Sequence, residues 1–339
     1  MDQKKITIHD ISRVLGIDSS TVSRALNDSP RVTPKTKNLI LEKANELGYQ
    51  RNVLASNLRT NKTQTIAVVL PRISRHFFST VISGIEETAQ TMGFNVVICQ
   101  SLDSYEREKK IILNLIANRV DGILMSIAME TIDYSHLESF QSLGNPIVFF
   151  DRPCSLKNCI NITIDNFSAS FKATEHLIKK GCTHIAHFSG KQNIELYKQR
   201  KDGYWSALAK HNLEMNENLI FESNLSEDDG IALAKKILKN PLIDGIYSAN
   251  DTAAISAIQY LKSKGKKIPN DIAVVGFNND PIAAVIEPSL TTIHQPGFEI
   301  GKLAASQLIK QIVTNNGLYQ SEKLDSELII RHSSNKILI

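Results

Sequence analysis

The sequence predicts a multidomain chain: an all-α helix-turn-helix head followed by an α/β body of two Rossmann-like subdomains. Three observations lead there. Short amphipathic helices, each with its own stop signal, fill residues 7–48. From residue 66 onward, apolar β runs alternate with helical stretches, in two successive series. The charge is also unevenly divided. Of 39 Lys+Arg and 35 Asp+Glu in 339 residues, the first 62 residues hold eleven and six, and the remainder twenty-eight and twenty-nine. A small segment of charge +5 on a nearly neutral body suggests a unit that meets a polyanion.

In the head, Thr7 caps a first helix that carries Ile8, Ile11 and Leu15 at helical spacing, and Gly16 stops it. Asp18 or Ser19 caps a second helix running to about Leu26, with Val22 and Leu26 inward. A third opens at Thr33-Pro34, turns Leu39, Ile40, Ala44 and Leu47 inward, and ends at Gly48. Helix, glycine turn and helix in about twenty residues make the helix-turn-helix unit. Its second helix would enter the major groove of double-stranded DNA. Ser19, Ser20, Thr21, Ser23 and Arg24 face outward there, and Arg24 has the fork that matches guanine O6 and N7. His9, Asn27 and Arg31 suit backbone contacts, which fix register, and Thr7 at the first helix start is placed with them.

These residues resemble the DNA-binding head of the LacI/GalR family of bacterial transcriptional regulators. The likeness rests on T-x-x-D-I at 7–11, T-V-S-R-x-L-N at 21–27, V-x-x-x-T at 32–36 and L-G-Y-x-x-N at 47–52, and it continues to about Arg331. It implies that residues 49–62 form a hinge helix only on operator DNA, with a leucine wedged into the central base step. Leu58 matches that leucine, and Asn52, Ala55 and Ser56 match neighbouring hinge positions. Arg51 stands where the family usually has proline. Independently of the family, residues 53–59 are too few for a stable isolated helix, and unstacking a base step must be offset by new contacts.

In the body, the first series has strands over 66–70, 95–99, 122–126 and 146–150, with helices over 78–92 and 104–118. The second starts with a strand over 160–164. Strands over 185–189, 219–221, 245–248 and 272–277 alternate with helices over 168–180, 200–211, 229–239 and 251–264. The resemblance implies a periplasmic-binding-protein-like clamshell, crossed more than once by the chain. The expected division is a head at 1–48, a hinge at 49–62 and an effector-binding and dimerisation domain at 63–339. Its lobes are expected at 63–160 plus 291–325 and at 161–290 plus 326–339.

Ligands of open parallel sheets gather at the carboxyl ends of the strands. Arg72, Ser74, Phe77 and Phe78 follow the first strand, Asp151 and Arg152 another, and Asn250 and Asp251 open the helix after Ser248. Arg200 opens the pattern R-x-x-G-Y-x-x-A-L, whose arginine reaches the effector cleft in the family. After V-V-G-F the family usually has aspartate; here Asn278 follows, which speaks against a cationic or purine effector and is neutral for a sugar. Arg75 and His76 fit the cleft mouth or the surface equally well.

Other classes find little support. The sequence has no G-x-G-x-x-G, Walker loop, G-x-S-x-G or H-E-x-x-H, so no enzyme or cofactor is expected. Cys99, Cys154, Cys159 and Cys182 are irregularly spaced and read as packing residues rather than metal ligands. His184 and His187 read as structural. No apolar run approaches the ~20 residues of a membrane span, and residues 1–10 do not resemble a secretory signal, so a cytoplasmic location without membrane contact is expected. The resulting expectation is a homodimeric transcriptional regulator, a repressor by preference, controlled by a small-molecule effector, a carbohydrate by preference. A solute-binding protein or sugar sensor of the same body fold is the alternative.

Overall fold

The computed structural model describes residues 6–49, 62–314 and 319–336. The chain divides into two compact units, Met1–Lys62 and Thr63–Ile339. The hinge positions Asn52, Ala55, Ser56 and Leu58 lie outside the described residues.

The first unit holds α1 (Ile8–Leu15), α2 (Ser19–Leu26) and α3 (Pro34–Glu46). The Asp10 carboxylate accepts from the Thr7 backbone N–H at 2.9 Å and the Thr7 hydroxyl at 2.7 Å. The orphan backbone N–H of Thr7 at the helix start is thereby satisfied. Gly16 ends α1 at φ 62°, a backbone conformation cheap only for glycine. The Asp18 side chain accepts from Ser20 N at 2.8 Å and starts α2. Ile11, Val22, Ala25, Val32, Ile40 and Ala44 form the small core. Leu39 departs from its expected inward position and is 47% exposed. Ile40 and Ala44, four residues apart, already fill the inward stripe of α3, and Leu39 lies about 100° off it.

The second unit contains two six-stranded sheets. The first runs β2-β1-β3-β4-β5-β11, from β1 (Thr65–Leu70), β2 (Asn95–Gln100), β3 (Gly122–Met125), β4 (Ile147–Phe150), β5 (Ile160–Ile164) and β11 (Glu322–Leu324), with every pairing parallel. The second runs β7-β6-β8-β9-β10-β12, from β6 (Ile185–Ser189), β7 (Ile220–Glu222), β8 (Gly245–Ser248), β9 (Ala273–Asn278), β10 (Thr291–His294) and β12 (Glu327–Ile329). Only β12 is antiparallel to its neighbour. Between and around them run α4 (His76–Thr91), α5 (Tyr105–Ala117), α6 (Ser135–Gln141), α7 (Asn166–Lys179), α8 (Glu195–Lys210), α9 (Glu227–Ile237), α10 (Asp251–Ser263), α11 (Ile282–Val285) and α12 (Gly297–Thr314). The central strands β1, β3 and β4 are almost wholly buried, as parallel strands covered on both faces must be.

Two strands sit in the lobe opposite to the expected one. β5 pairs with β4, Val148 opposite Ile160, and so completes the first sheet rather than opening the second. Parallel neighbours normally need a helical crossover. Residues 151–159 contain no helix, so alternation alone suggests a new series there. β10 pairs with β9, Thr291 opposite Val275, so the return to the first lobe comes after His294 rather than before Thr291. The chain therefore crosses between sheets three times, after β5, β10 and β11. Helix α8 also starts five residues ahead of the expected position 200.

After its crossing, α12 lies against α4 at a distance only glycine permits. A Cβ at Gly84 would stand 2.1 Å from the Phe298 carbonyl oxygen, and one at Gly301 2.1 Å from that of Val81. In the second sheet His187, fully buried, is stacked between Tyr204 and Tyr247 at centroid distances of 5.2 and 4.7 Å. Its Nδ1 meets the Tyr247 carbonyl at 3.1 Å. His184 is exposed beside Thr183.

Burial pushes His187 from the usual 6.5 down to about 3. The folded chain thus keeps this imidazole neutral where the unfolded chain protonates it. Its contribution to stability is whole above pH 6.5 and is lost as pH falls toward 3. At pH 5 the cost is roughly 2 kcal/mol. Urea denaturation at pH 7 and pH 5 should show the parent losing that much more stability than His187→Gln; equal losses would contradict the assignment.

Candidate functional site

Two surfaces carry chemistry, one in each unit. On α2, Ser20, Arg24 and Asn27 are exposed at positions i, i+4 and i+7, one stripe opposite the buried Val22 and Ala25. Ser19, Thr21 and Ser23 are half-buried, while Thr7, His9 and Arg31 are exposed. The Asn27 amide donates to the Ser23 carbonyl at 2.6 Å, so it also ends the helix.

In the body, a cavity of about 70 Å³ lies at the facing carboxyl ends of the two sheets. Arg72, Phe77, Phe78, Asp151, Arg152, Arg200, Asn250 and Asn278 all line it. Ser74 does not; it is exposed beside the first-strand loop. Asp251 does not either. It is fully buried behind the wall, where its carboxylate accepts from the Thr292 hydroxyl at 2.6 Å and from Asp280 N at 2.7 Å. Burial and the neighbouring Asp280 push it up to about 8. The helix-opening position that suggests a ligand contact instead places it against β10.

Each lobe contributes a buried guanidinium. Arg152, 4% exposed, donates from Nη1 to Asp103 Oδ1 at 2.6 Å and to the Ile127 carbonyl at 2.7 Å. Burial works against its charge, but Asp103 more than restores it. Arg72 reaches the other Asp103 oxygen at 3.6 Å. Arg200, 3% exposed, donates to Asn166 Oδ1 at 2.9 Å and the Ala249 carbonyl at 2.7 Å, and lies 3.5 Å over the Phe277 ring. Burial lowers its proton affinity below the ordinary value. Asp151 is held at φ 62°, and burial raises its pKa against the opposing pull of Arg152 and Arg200.

Arg75 closes the mouth. From the first lobe it donates to the Thr252 hydroxyl and, at 3.2 Å, to the Leu225 carbonyl of the second. Asn193 also spans the lobes, donating to the Met129 carbonyl at 3.0 Å. The enclosed space is well below the roughly 300–1,000 Å³ of usual ligand sites, so these lobes are closed on each other. Asn278, at φ 116°, accepts from the Gln295 amide at 2.8 Å.

The sequence reading missed Asp103, Tyr197, Asn224 and Gln295, all of which line the cavity. Tyr197 had a signal, since it lies one helical turn before Arg200 on the same face. Asp103 and Gln295 fall in loops without a motif. Among the described residues, no cluster of His, Cys, Asp and Glu is arranged to hold a metal, and no helix is long and apolar enough to cross a membrane. The four cysteines are free and buried or half-buried.

Comparison with known proteins agrees with this anatomy. Residues 7–52 match the bacterial regulatory proteins of the lacI family, and residues 174–334 a periplasmic binding protein-like domain. The chain is 32% identical over 337 residues to the HTH-type transcriptional regulator DegA of Bacillus subtilis, covering 98% of this chain and 99% of that one. It is 30% identical over 334 residues to the HTH-type transcriptional repressor PurR of Vibrio campbellii, covering 98% and 99%. A periplasmic binding protein/LacI transcriptional regulator from Alkaliphilus metalliredigens, solved with D-xylulofuranose, superposes with a TM-score of 0.71 at 30% identity, over 80% of this chain and 99% of that one. These matches make the chain a helix-turn-helix transcriptional regulator. It belongs to the LacI family.

Asp103 is the carboxylate on which the buried Arg152 depends. Asp103→Asn should destabilise the body by about 3 kcal/mol, because it strands a buried charge. The double change Asp103→Asn/Arg152→Met should recover much of that loss. Urea denaturation of the three proteins checks both expectations.

Proposed function

We propose that this chain is a repressor that binds operator DNA as a homodimer and releases or engages it according to a small polar effector, a sugar by preference, held between the body lobes. The observation that carries this reading is one chain joining a three-helix head, with Ser20, Arg24 and Asn27 exposed along α2, to a closed polar cleft. A solute-binding protein has no use for the first, nor an architectural DNA-binding protein for the second. The repressor PurR and the structure holding D-xylulofuranose support the two halves of the proposal.

The working division is a head at 1–48, a hinge at 49–62 and an effector-binding and dimerisation domain at 63–339. In this reading Leu58 is the minor-groove wedge, with Asn52, Ala55 and Ser56 beside it. The cleft residues bind the effector, no residue is catalytic, and the protein works in the cytoplasm, where it meets DNA. Effector binding alters lobe closure and so the spacing of the two hinges of a dimer. By linkage, effector and operator change each other's affinity by one common factor.

Footprinting on genomic fragments, with and without sugars, tests the whole reading. Arg24→Ala should weaken operator binding by roughly 1–3 kcal/mol and relax preference at one base pair per half-site. Unchanged affinity and preference would remove α2 as the reading helix.

The dimer is assigned to residues 79–90 of α4, 253–262 of α10 and the 281–287 loop. Apolar exposure supports it: Ile282 is 50% and Val285 75% exposed, beside a groove lined by Ile231, Ile255 and Tyr260. Apolar patches of this kind mark interaction surfaces. Light scattering should give a dimer for the parent and a monomer for Ile282→Asp/Val285→Asp; a parent monomer at micromolar concentration would contradict the assignment.

A further inference from the structure

The cleft walls carry more positive charge than the protein itself neutralises. Four arginines line the cavity, Arg72, Arg75, Arg152 and Arg200, against two carboxylates, Asp103 and Asp151. Asp103 serves both Arg152 and Arg72. The Nε of Arg152, in a side chain 4% exposed, has no partner among the described residues. Arg200 and Arg75 spend their hydrogen bonds on neutral oxygens: an amide, two carbonyls and a hydroxyl. Behind the wall, Asp280 lies in the field of Arg75 and His76, but burial raises its pKa and one carboxylate oxygen is unpaired. Asp251 beside it, pushed to about 8, carries little charge near neutrality. The remaining polar side chains on the wall are uncharged: the amides of Asn224, Asn250, Asn278 and Gln295 and the phenol of Tyr197.

Arg152 has Asp103, but Arg200 is buried with no carboxylate among the hydrogen-bond partners described for it, which is costly, and a guanidinium cannot shed its proton. A neutral polyol entering here would displace water from these groups and return only dipoles. A carboxylate or phosphate would return charge, in the planar two-point geometry that guanidinium favours. We propose that the cleft selects an anionic monosaccharide, one whose carboxylate or phosphate sits among Arg75, Arg152 and Arg200. The inference rests on the cleft being the effector site and adds the charge of what it holds.

The test is isothermal titration calorimetry on the full-length protein at constant ionic strength. The probes are D-glucose, D-glucuronate and glucose 6-phosphate; D-ribose and ribose 5-phosphate; and inorganic phosphate. At least one anionic sugar should bind about tenfold more tightly than its neutral counterpart, and Arg75→Gln should remove that advantage. Asn278→Asp, which adds a negative charge to the wall, should weaken the same anion by a similar factor without lowering the melting temperature of the free protein. The glucuronate and phosphate arms distinguish the two anion chemistries. Neutral sugars binding as well as their anionic counterparts would overturn the proposal. So would a panel in which no anion, inorganic phosphate included, binds below about 10 mM. Operator footprinting without ligand is read separately: DNA binding intact with neutral preference in the cleft sinks only the charge assignment, whereas absent DNA binding sinks the regulator reading.

Discussion

Much of the body's architecture follows from having to keep two permanently charged side chains almost out of water. Arg152 and Arg200 are 4% and 3% exposed at the facing ends of two sheets. Each needs acceptors delivered to a fixed place. Asp103 is delivered by a loop at φ 63°, a left-handed backbone that aspartate tolerates better than most residues, and Asp151, at φ 62°, adds only the field of its carboxylate. Asn166 and Ala249 deliver oxygens from a helix start and a strand end of the second lobe. Phe277 supplies an aromatic face at the end of β9. The cleft is thus less a gap left between lobes than the place where both lobes hold buried charge, which they neutralise only in part.

The fold was largely legible because its signals are local. Helix caps at Thr7, Asp18 and Thr33, the glycine stop at Gly16, and apolar runs such as 66–70 each act through a few neighbouring residues. What was not legible was set by pairing. Nothing within residues 160–164 tells whether they join β4 or begin a new sheet; their hydrogen-bonding partner decides it. The same holds for 291–294. Leu39 shows the smaller version of this limit: an apolar residue in a helix is placed by the width of the stripe its neighbours already fill.

The candidate cleft divides along the same line. Residues at strand ends, Arg72, Asp151, Arg152, Asn250 and Asn278, were found because topology puts every such loop at one edge. Asp251 has the same address but points the other way, since the residue after a helix cap turns into the sheet and here finds Thr292. Asp103 was hidden because its role depends on Arg152, 49 residues away, and only the folded chain brings them to 2.6 Å.

The three crossings also govern the order in which the protein can be made. The first sheet is not complete until β11, residues 322–324, pairs with β5. Its helix α4 is not covered until α12 has been synthesised, since Gly84 packs on the Phe298 backbone and Gly301 on that of Val81. The second lobe's strands β6 to β10 are made earlier, by residue 294, and only its edge strand β12, residues 327–329, follows β11. On a ribosome the head therefore emerges first. The first lobe then waits, its apolar α4 face open, while strands β6 to β10 of the second are made. Domains elsewhere commonly fold in the order they are made. Here neither lobe is finished until the last strands are made: β11 completes the first sheet and β12, residues 327–329, the second, so the α4 face around Gly84 stays open until α12 emerges.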